Sequence, residues 1–234
     1  MRILARFFHR MEPVSALRRG FTLVEMLVVL AIITVVTTIT LTGQSEFNRS
    51  LLLTDTTYTV ALSLREMQTL GLSSRITGGG VQNAGYGAHF TTSPGTSYIL
   101  FADTNKASPS PLATCPTGGS GTPDAKPGNC VYTSSDELFQ TYNFSRGFYV
   151  SRICGKTTGS SPQTYCSDDS PALSSLDIVF VRSNTTDAVI TGQRSGSVAL
   201  SSAQIYISSA DNSARRAICV SQLGQVSIAF NTCP

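Results

Sequence analysis

Residues 21–41 form a long apolar run in which Glu25 is the only charged side chain. The basic pair Arg18 and Arg19, followed by Gly20, comes directly before this run. A helix rises about 1.5 Å per residue, so a run of this length can cross a hydrocarbon core of roughly 30 Å. The run therefore predicts a membrane-spanning helix, and the rest of the chain has to fold on one side of that membrane.

The charges beside the run orient it. Residues 1–20 contain five arginines and a single acid, Glu12. The positive-inside rule keeps this end in the cytoplasm and places residues 42–234 across the membrane. A secretory signal has a shorter apolar region, of about 7–15 residues, with its cleavage site afterwards. Here the small residue Gly20 precedes the run, so cleavage at Gly20 would leave the span attached.

Residues 20–25 (GFTLVE) and the apolar run after them resemble the type IV prepilin family, which includes type IV pilins, competence pilins and the pseudopilins of type II secretion. The resemblance covers about the first quarter of the chain. It implies that a prepilin peptidase cuts after Gly20 and methylates the new terminal amine of Phe21. The implied partners are other pilin or pseudopilin subunits and an inner-membrane assembly platform. Many type IV pilins carry a proline near the outer end of this helix, whereas the nearest helix breaker here is Gly43.

Glu25 needs a compensating group if it lies in lipid. A charged side chain within a bilayer costs about 2.5–3.5 kcal/mol on insertion scales, and such groups usually have a partner. No cation lies within reach on the same helix. Cleavage would create an α-amine at Phe21 that a neighbouring subunit could offer to Glu25, and this pair would set the axial register of a filament. The alternative is a carboxylate near the membrane surface that stays neutral or extends to the interface.

The helical pattern continues beyond the membrane. Five side chains recur at i, i+4, i+7, i+11 and i+14 and so share one face: Leu53, Thr57, Val60, Leu64 and Met67. The charged residues fall mostly elsewhere: Arg49, Asp55, Arg65 and Glu66. We expect one helix of about 50 residues that ends at the break after Gly71 and packs on a globular head. The alternative is two helices hinged near Gly43.

From about Ile76 the sequence becomes rich in Gly, Ser, Thr and Asn and contains short β-type runs. The predicted strands are Ala88–Thr91, Ser97–Ala102, Gly147–Cys154, Leu176–Arg182, Ser197–Leu200, Ala203–Ser208, Ala217–Ser221 and Gln225–Phe230. Leu223-Gly224 predicts a hairpin turn, and the Pro/Gly/Ser-rich stretch Asp103–Asn129 predicts a long surface loop.

These patterns predict an α+β, pilin-like fold: a long N-terminal helix, membrane-spanning in its first half, packed on an antiparallel β-sheet head with disulfide-closed loops. The expected organisation is a cleaved leader over 1–20, the transmembrane half of the helix over 21–42, its amphipathic half over 43–75 and an extracytoplasmic head over 76–234.

All six cysteines lie on the exported side of the span, where disulfides are permitted. Six cysteines allow fifteen connectivities, and we favour the pairs that are local in sequence. Each such disulfide closes a polar loop and would stabilise the fold by about 3 kcal/mol in the chain-entropy model. These pairs are Cys115 with Cys130, Cys154 with Cys166 and Cys219 with Cys233. The alternative is buried free thiols. A zinc site is not expected, because there is no Cys-x-x-Cys pair and His89 is the only histidine after the leader.

Charge does not favour nucleic acid as a partner. Without residues 1–20 the chain has 12 basic and 13 acidic side chains, whereas DNA binding depends on clustered Lys and Arg. Arg215 and Arg216 are a local exception, with Arg194 not far off in sequence. Residues 216–226 resemble the C-terminal hairpin of H-type minor pseudopilins and related minor pilins, some of which bind DNA. The alternative for the arginine pair is a solvated strand edge that discourages aggregation.

No catalytic centre is expected. Gly155-Lys156-Thr157 lacks the earlier glycine of a phosphate-binding loop. The neighbouring carboxylates Asp136-Glu137 and Asp168-Asp169 predict solvated faces, and Asp103-Thr104-Asn105 resembles part of a calcium loop without its remaining ligands. We expect neither enzyme activity nor a cofactor or metal.

The sequence thus predicts a structural subunit, and a minor one, of a type IV pilus or a type II secretion pseudopilus. Such a subunit would sit in the cytoplasmic membrane with its head outside, and then in a periplasmic or cell-surface filament. One alternative is a binding module at a filament tip, such as a DNA-uptake minor pilin. Another is a membrane-anchored receptor that never polymerises.

Overall fold

The structure is a computed structural model that describes residues 20–73, 84–105, 128–134, 136–182 and 187–233. Apart from Gly20, the predicted leader lies outside these ranges, as does most of the predicted loop Asp103–Asn129. The chain divides into two compact units, one ending at Ser45 and one beginning at Glu46.

One helix, α1, covers Leu23–Leu72 and has 50 residues, the length that the sequence predicts. Its backbone is helical through Gly43, where the alternative places a hinge. The helix ends at the predicted break. The N–H of Ser73 donates to the carbonyls of Thr69 and Leu70 at 3.2 Å each and so closes the last turn.

The predicted apolar stripe of α1 is confirmed. All five side chains are at most 1% exposed: Leu53, Thr57, Val60, Leu64 and Met67. The charged side chains predicted for the other faces are exposed: Arg49, Asp55, Arg65 and Glu66. The hydroxyl of Thr57 donates to the carbonyl of Leu53 at 2.7 Å, so this polar group enters the core with its hydrogen bond made.

Within its described residues, the second unit contains eleven strands after the helix. They are β1 Gly85–Thr91, β2 Ser97–Asp103, β3 Glu137–Asn143, β4 Tyr149–Lys156, β5 Thr164–Cys166, β6 Ser175–Phe180, β7 Ala188–Gln193, β8 Ser197–Leu200, β9 Ser202–Ser208, β10 Arg215–Ser221 and β11 Val226–Ala229. All of their pairings are antiparallel.

The strands form a six-stranded sheet in the order β3-β2-β1-β6-β7-β8 and a five-stranded sheet in the order β11-β10-β9-β4-β5. Successive side chains of a strand point to opposite faces. In β9, Ile205 and Ile207 therefore enter the main core while Tyr206 lies on the outer face. The main core joins the stripe of α1 to the inner faces of both sheets, with Phe90, Leu100, Ile153 and Ile178 among its residues.

Each predicted run of the head overlaps a strand of the structure, and Ser197–Leu200 has the predicted bounds. The strands β3, β5 and β7 were not predicted. β3 is a sheet edge whose Leu138 is 55% exposed, and β5 has only three residues. β7 is buried on both faces and therefore shows little alternation. Gly192 lies within β7, where the side chains of Leu173 and Leu200 occupy the space that a Cβ would need.

The hairpin at Leu223-Gly224 is confirmed, since β10 and β11 are paired. Gly224 has φ 75°, a conformation that glycine adopts without strain. Its N–H donates to the carbonyl of Ser221 at 2.9 Å. The side-chain amide of Gln68 on α1 donates to the carbonyl of Gly224 at 3.1 Å, so the turn is tied to the helix.

The structure contains two of the three predicted local disulfides, Cys154–Cys166 and Cys219–Cys233. The first joins directly opposed residues of β4 and β5, and the second ties the C-terminal segment to β10. Both lie around Tyr206 and Ala217, so they form a second apolar cluster on the outer face of the five-stranded sheet. Cys130 is disulfide-bonded as well, and its predicted partner, Cys115, lies outside the described residues.

Two leucines of α1 test the stripe. Leu64→Ala should lower the free energy of unfolding by about 2–5 kcal/mol, because it removes a buried side chain and leaves a cavity. Leu62→Ala, two residues away at a 61% exposed position, should change it by no more than about 0.5 kcal/mol. Urea unfolding of the detergent-solubilised chain, followed by near-UV circular dichroism, measures both. Equal losses in the two variants would contradict the packing of α1 described above.

Candidate functional site

The start of α1 is capped by the segment that the sequence singles out. Gly20 and Phe21 precede the helix, and Thr22 Oγ1 accepts the N–H of Glu25 at 3.2 Å. This contact is one half of a capping box, in which a Thr before the helix and a Glu three residues later satisfy free N–H groups. The carboxylate in the first turn also faces the positive end of the helix dipole. Sequence reasoning missed Thr22, although the Thr-x-x-Glu spacing was a readable signal.

The helix of the first unit is built to lie in apolar surroundings. Leu23–Leu41 has a mean hydropathy of 2.4, and none of this segment is buried. Its threonines bond to their own backbone, as when Thr37 donates to Ile33 at 2.6 Å and Thr38 donates to Thr34 at 2.7 Å. The hydroxyl donors of these threonines are therefore satisfied by the helix itself when the segment lies in lipid. Glu25 is the only charged residue from 20 to 45, so the described residues of the first unit offer it no cation.

Comparison with known proteins identifies this N-terminal segment. Residues 16–41 match the family model described as the prokaryotic N-terminal methylation motif, and this range contains Gly20, Phe21 and Glu25. A search of curated proteins and a search of solved structures each give no match to the chain.

The matched motif is the type IV prepilin-like signal, and it stands on a chain with an apolar N-terminal helix and an antiparallel head. The chain therefore carries the N-terminal signal of type IV prepilin-like proteins, on a fold that is consistent with a pilin-like protein. The signal implies membrane anchoring, processing by a prepilin peptidase and assembly with other pilin subunits. The match ends at residue 41, so the resemblance of residues 216–226 to H-type minor pseudopilins stays a prediction.

Arg215 and Arg216, the arginine pair of β10, make different contacts. Arg216 lies over the ring of Phe230 at 4.5 Å and donates to Ser50 Oγ at 3.1 Å, so it bridges the last strand region and α1. Arg215 points to the outer face of the five-stranded sheet and lies 4.9 Å from the ring centroid of Tyr206. The two guanidinium groups therefore do not form one continuous basic patch.

Arg194, close to this pair in sequence, belongs to the turn between β7 and β8 of the other sheet. Its guanidinium stacks on Tyr165 at 4.3 Å and donates to the carbonyl of Pro171 at 2.7 Å. These contacts hold the segment after β5 in place, which is a structural role.

Carboxylates also hold a covering segment, residues 128–134, on the outer face of the six-stranded sheet. Asp103 accepts the N–H groups of Asn129 and Cys130 at 3.0 and 2.7 Å. Asp136 accepts those of Asn105 and Thr133 at 2.8 and 2.7 Å. The prediction that Asp136 is solvated is wrong: it is 8% exposed, because backbone N–H groups converge on it.

The third carboxylate of this layer is Asp177, which is completely buried. Its Oδ1 contacts His89 Nδ1 at 2.7 Å and accepts the N–H of Tyr132 at 3.2 Å. Its Oδ2 is buried without a hydrogen-bond partner, and so is Oγ1 of Thr191 on the neighbouring strand. Burial raises the pKa of Asp177 against the opposing effect of His89. Within the described ranges no group of three His, Cys, Asp or Glu side chains is placed to hold a metal ion.

Asp103 makes the stability of the head depend on pH. Burial raises its pKa from 3.8 to about 8, although the hydrogen bonds from Cys130 and Asn129 oppose the shift. Its folded-state pKa lies above the unfolded value, so its contribution to stability is complete below about pH 4 and is lost as pH rises through 8.

We therefore expect the urea midpoint of unfolding to fall between pH 5 and pH 9, and to fall less in Asp103→Asn, which keeps an acceptor oxygen without the charge. Asp55→Asn, at an exposed position of α1, serves as the control and should follow the unmodified chain. The same pH dependence in Asp103→Asn and the unmodified chain would contradict the role assigned to Asp103.

Proposed function

We propose that this protein is a structural subunit, and a minor one, of a type IV pilus or a type II secretion pseudopilus. In this proposal the chain sits in the cytoplasmic membrane as a single-pass protein with its N-terminus inside and its head outside. A prepilin peptidase cuts after Gly20 and methylates Phe21, and the helix then carries the subunit into a periplasmic or cell-surface filament on an inner-membrane assembly platform.

The observation that carries the proposal is Glu25, the single carboxylate of an apolar helix that matches the prepilin-like signal. An unpaired charge in lipid costs about 2.5–3.5 kcal/mol, so a partner stabilises it. Cleavage after Gly20 removes the leader arginines and creates one new cation, the α-amine of Phe21. In a filament, the amine of one subunit meets the carboxylate of another, and the low dielectric of the helix bundle strengthens their attraction.

The large head with its long loops supports a minor subunit over a major one. A tip-located binding module is the second candidate, and stoichiometry distinguishes the two, because a tip protein would be scarce in sheared filaments. DNA uptake is not favoured, because Arg216 is held by Ser50 and Phe230 and only Arg215 of the pair faces the outer surface. A receptor that never polymerises would keep its leader.

Substitution of Glu25 tests the pairing. Glu25→Ala should insert into the membrane at the normal level, because it removes a charge from the span, and should be absent from filaments. Glu25→Gln should fail in the same way, although a Gln at this position still completes the capping box. Quantitative immunoblotting of the membrane fraction and of sheared filaments, or of pseudopili formed on overexpression, measures both steps.

The matched control is Glu66→Ala, at an exposed position of α1 outside the predicted span, which should be incorporated normally. Normal incorporation of Glu25→Ala would refute the proposed pair. Normal incorporation of Glu25→Gln together with failure of Glu25→Ala would show that helix capping, and not charge, is what assembly requires.

A further inference from the structure

A polar cavity of about 420 Å³ opens on the outer face of the five-stranded sheet. We call it the Arg215 basin, and its lining residues are Ser151, Arg152, Asp168, Ser208, Asn212, Ser213, Arg215 and Asn231. Its volume lies within the range of about 300–1,000 Å³ that is typical of ligand pockets. Apolar side chains are absent from this lining, so the basin suits a hydrophilic ligand.

The basin holds one guanidinium that is not matched by a carboxylate among the described residues. Arg152 Nε donates to Asp168 Oδ1 at 2.8 Å, so these two charges compensate each other. Arg215 lies over the ring of Tyr206 and forms no ion pair. The nearby Asp211 is paired with Arg49 instead. The lining therefore carries an excess of one positive charge, on a chain that is close to neutral without its leader.

The remaining polar groups of the lining are neutral and already oriented. Ser208 Oγ donates to Ser151 Oγ at 2.7 Å, and Ser151 donates to the carbonyl of Tyr206 at 3.3 Å. The oxygen of Ser208 is thereby left as an acceptor. Asn212 Oδ1 accepts the hydroxyl of Tyr149 at 2.7 Å, which leaves the amide N–H groups of Asn212 as donors. Groups held in this way lose little freedom when a ligand binds.

The lining has one unmatched guanidinium and several neutral hydroxyl and amide groups, and these numbers indicate the chemistry of a matching ligand. One unmatched guanidinium accommodates one anionic group, and a carboxylate fits its paired N–H donors. The hydroxyl and amide groups of the lining are more numerous than this guanidinium, and they fit a ligand that carries several hydroxyls. Double-stranded DNA would require several Lys and Arg side chains along a track of phosphates, and this basin offers one.

We propose that the Arg215 basin binds an acidic saccharide, a sugar unit that carries one carboxylate and several hydroxyls, of the uronic acid class. The carboxylate pairs with Arg215, and the hydroxyls exchange hydrogen bonds with Ser208 and Asn212. All residues that line the basin belong to the second unit, so the apolar N-terminal segment contributes none of the proposed ligand contacts.

Titration calorimetry of the detergent-solubilised full chain tests the proposal with two matched probes, the trimer of galacturonic acid and the neutral trimer of galactose. We expect saturable binding of the acidic trimer and at least about tenfold weaker binding of the neutral one, the loss expected when a charge-assisted hydrogen bond is removed. Arg215→Gln should weaken binding of the acidic trimer by a similar factor. Asp168→Asn should tighten it, because it releases the guanidinium of Arg152.

The control is Arg146→Gln, which removes an exposed arginine outside the basin and should leave the affinity unchanged. No saturable binding of the acidic trimer would overturn the proposal. So would equal binding of both trimers, an affinity unchanged in Arg215→Gln, or an equal loss in Arg146→Gln. A short DNA duplex that binds more tightly than the acidic trimer, with the same dependence on Arg215, would overturn the saccharide in favour of phosphate.

Discussion

A carboxylate inside an apolar segment is costly in lipid unless a partner compensates its charge, and the proposed function follows from that cost. Glu25 stands in the first turn of α1, where Thr22 and the helix dipole accommodate it, but the described residues of the first unit include no cation. The missing positive charge is available from the terminal amine that processing at Gly20 would create. In the proposed function, this need for a partner connects a proteolytic step to subunit association.

The head is organised around the second part of the same helix. Its apolar stripe enters a core shared by both sheets, so α1 supplies part of the core of the head. Each sheet also has a covered outer face. Two disulfides and Tyr206 cover the five-stranded sheet, and a segment held by Asp103, Asp136 and Asp177 covers the six-stranded one. The small apolar clusters on these outer faces are each supported by cross-links or by buried carboxylates.

Features with a strong local period could be predicted from the sequence, and features that depend on distant neighbours could not. The stripe from Leu53 to Met67 and the strands with alternating residues were found because burial imposes their periodicity. The edge strand β3 and the doubly buried β7 lack that period. Asp136 looked solvated because nothing local shows that the N–H groups of Asn105 and Thr133 converge on it. Tyr206 between two arginines is likewise a product of strand register.

The most direct test of the central claim is the N-terminal sequence and intact mass of the chain extracted from membranes of cells that contain a prepilin peptidase. We expect a chain that begins at an N-methylated Phe21, which supplies the amine that Glu25 requires. A chain that still begins at Met1 in those membranes would contradict it.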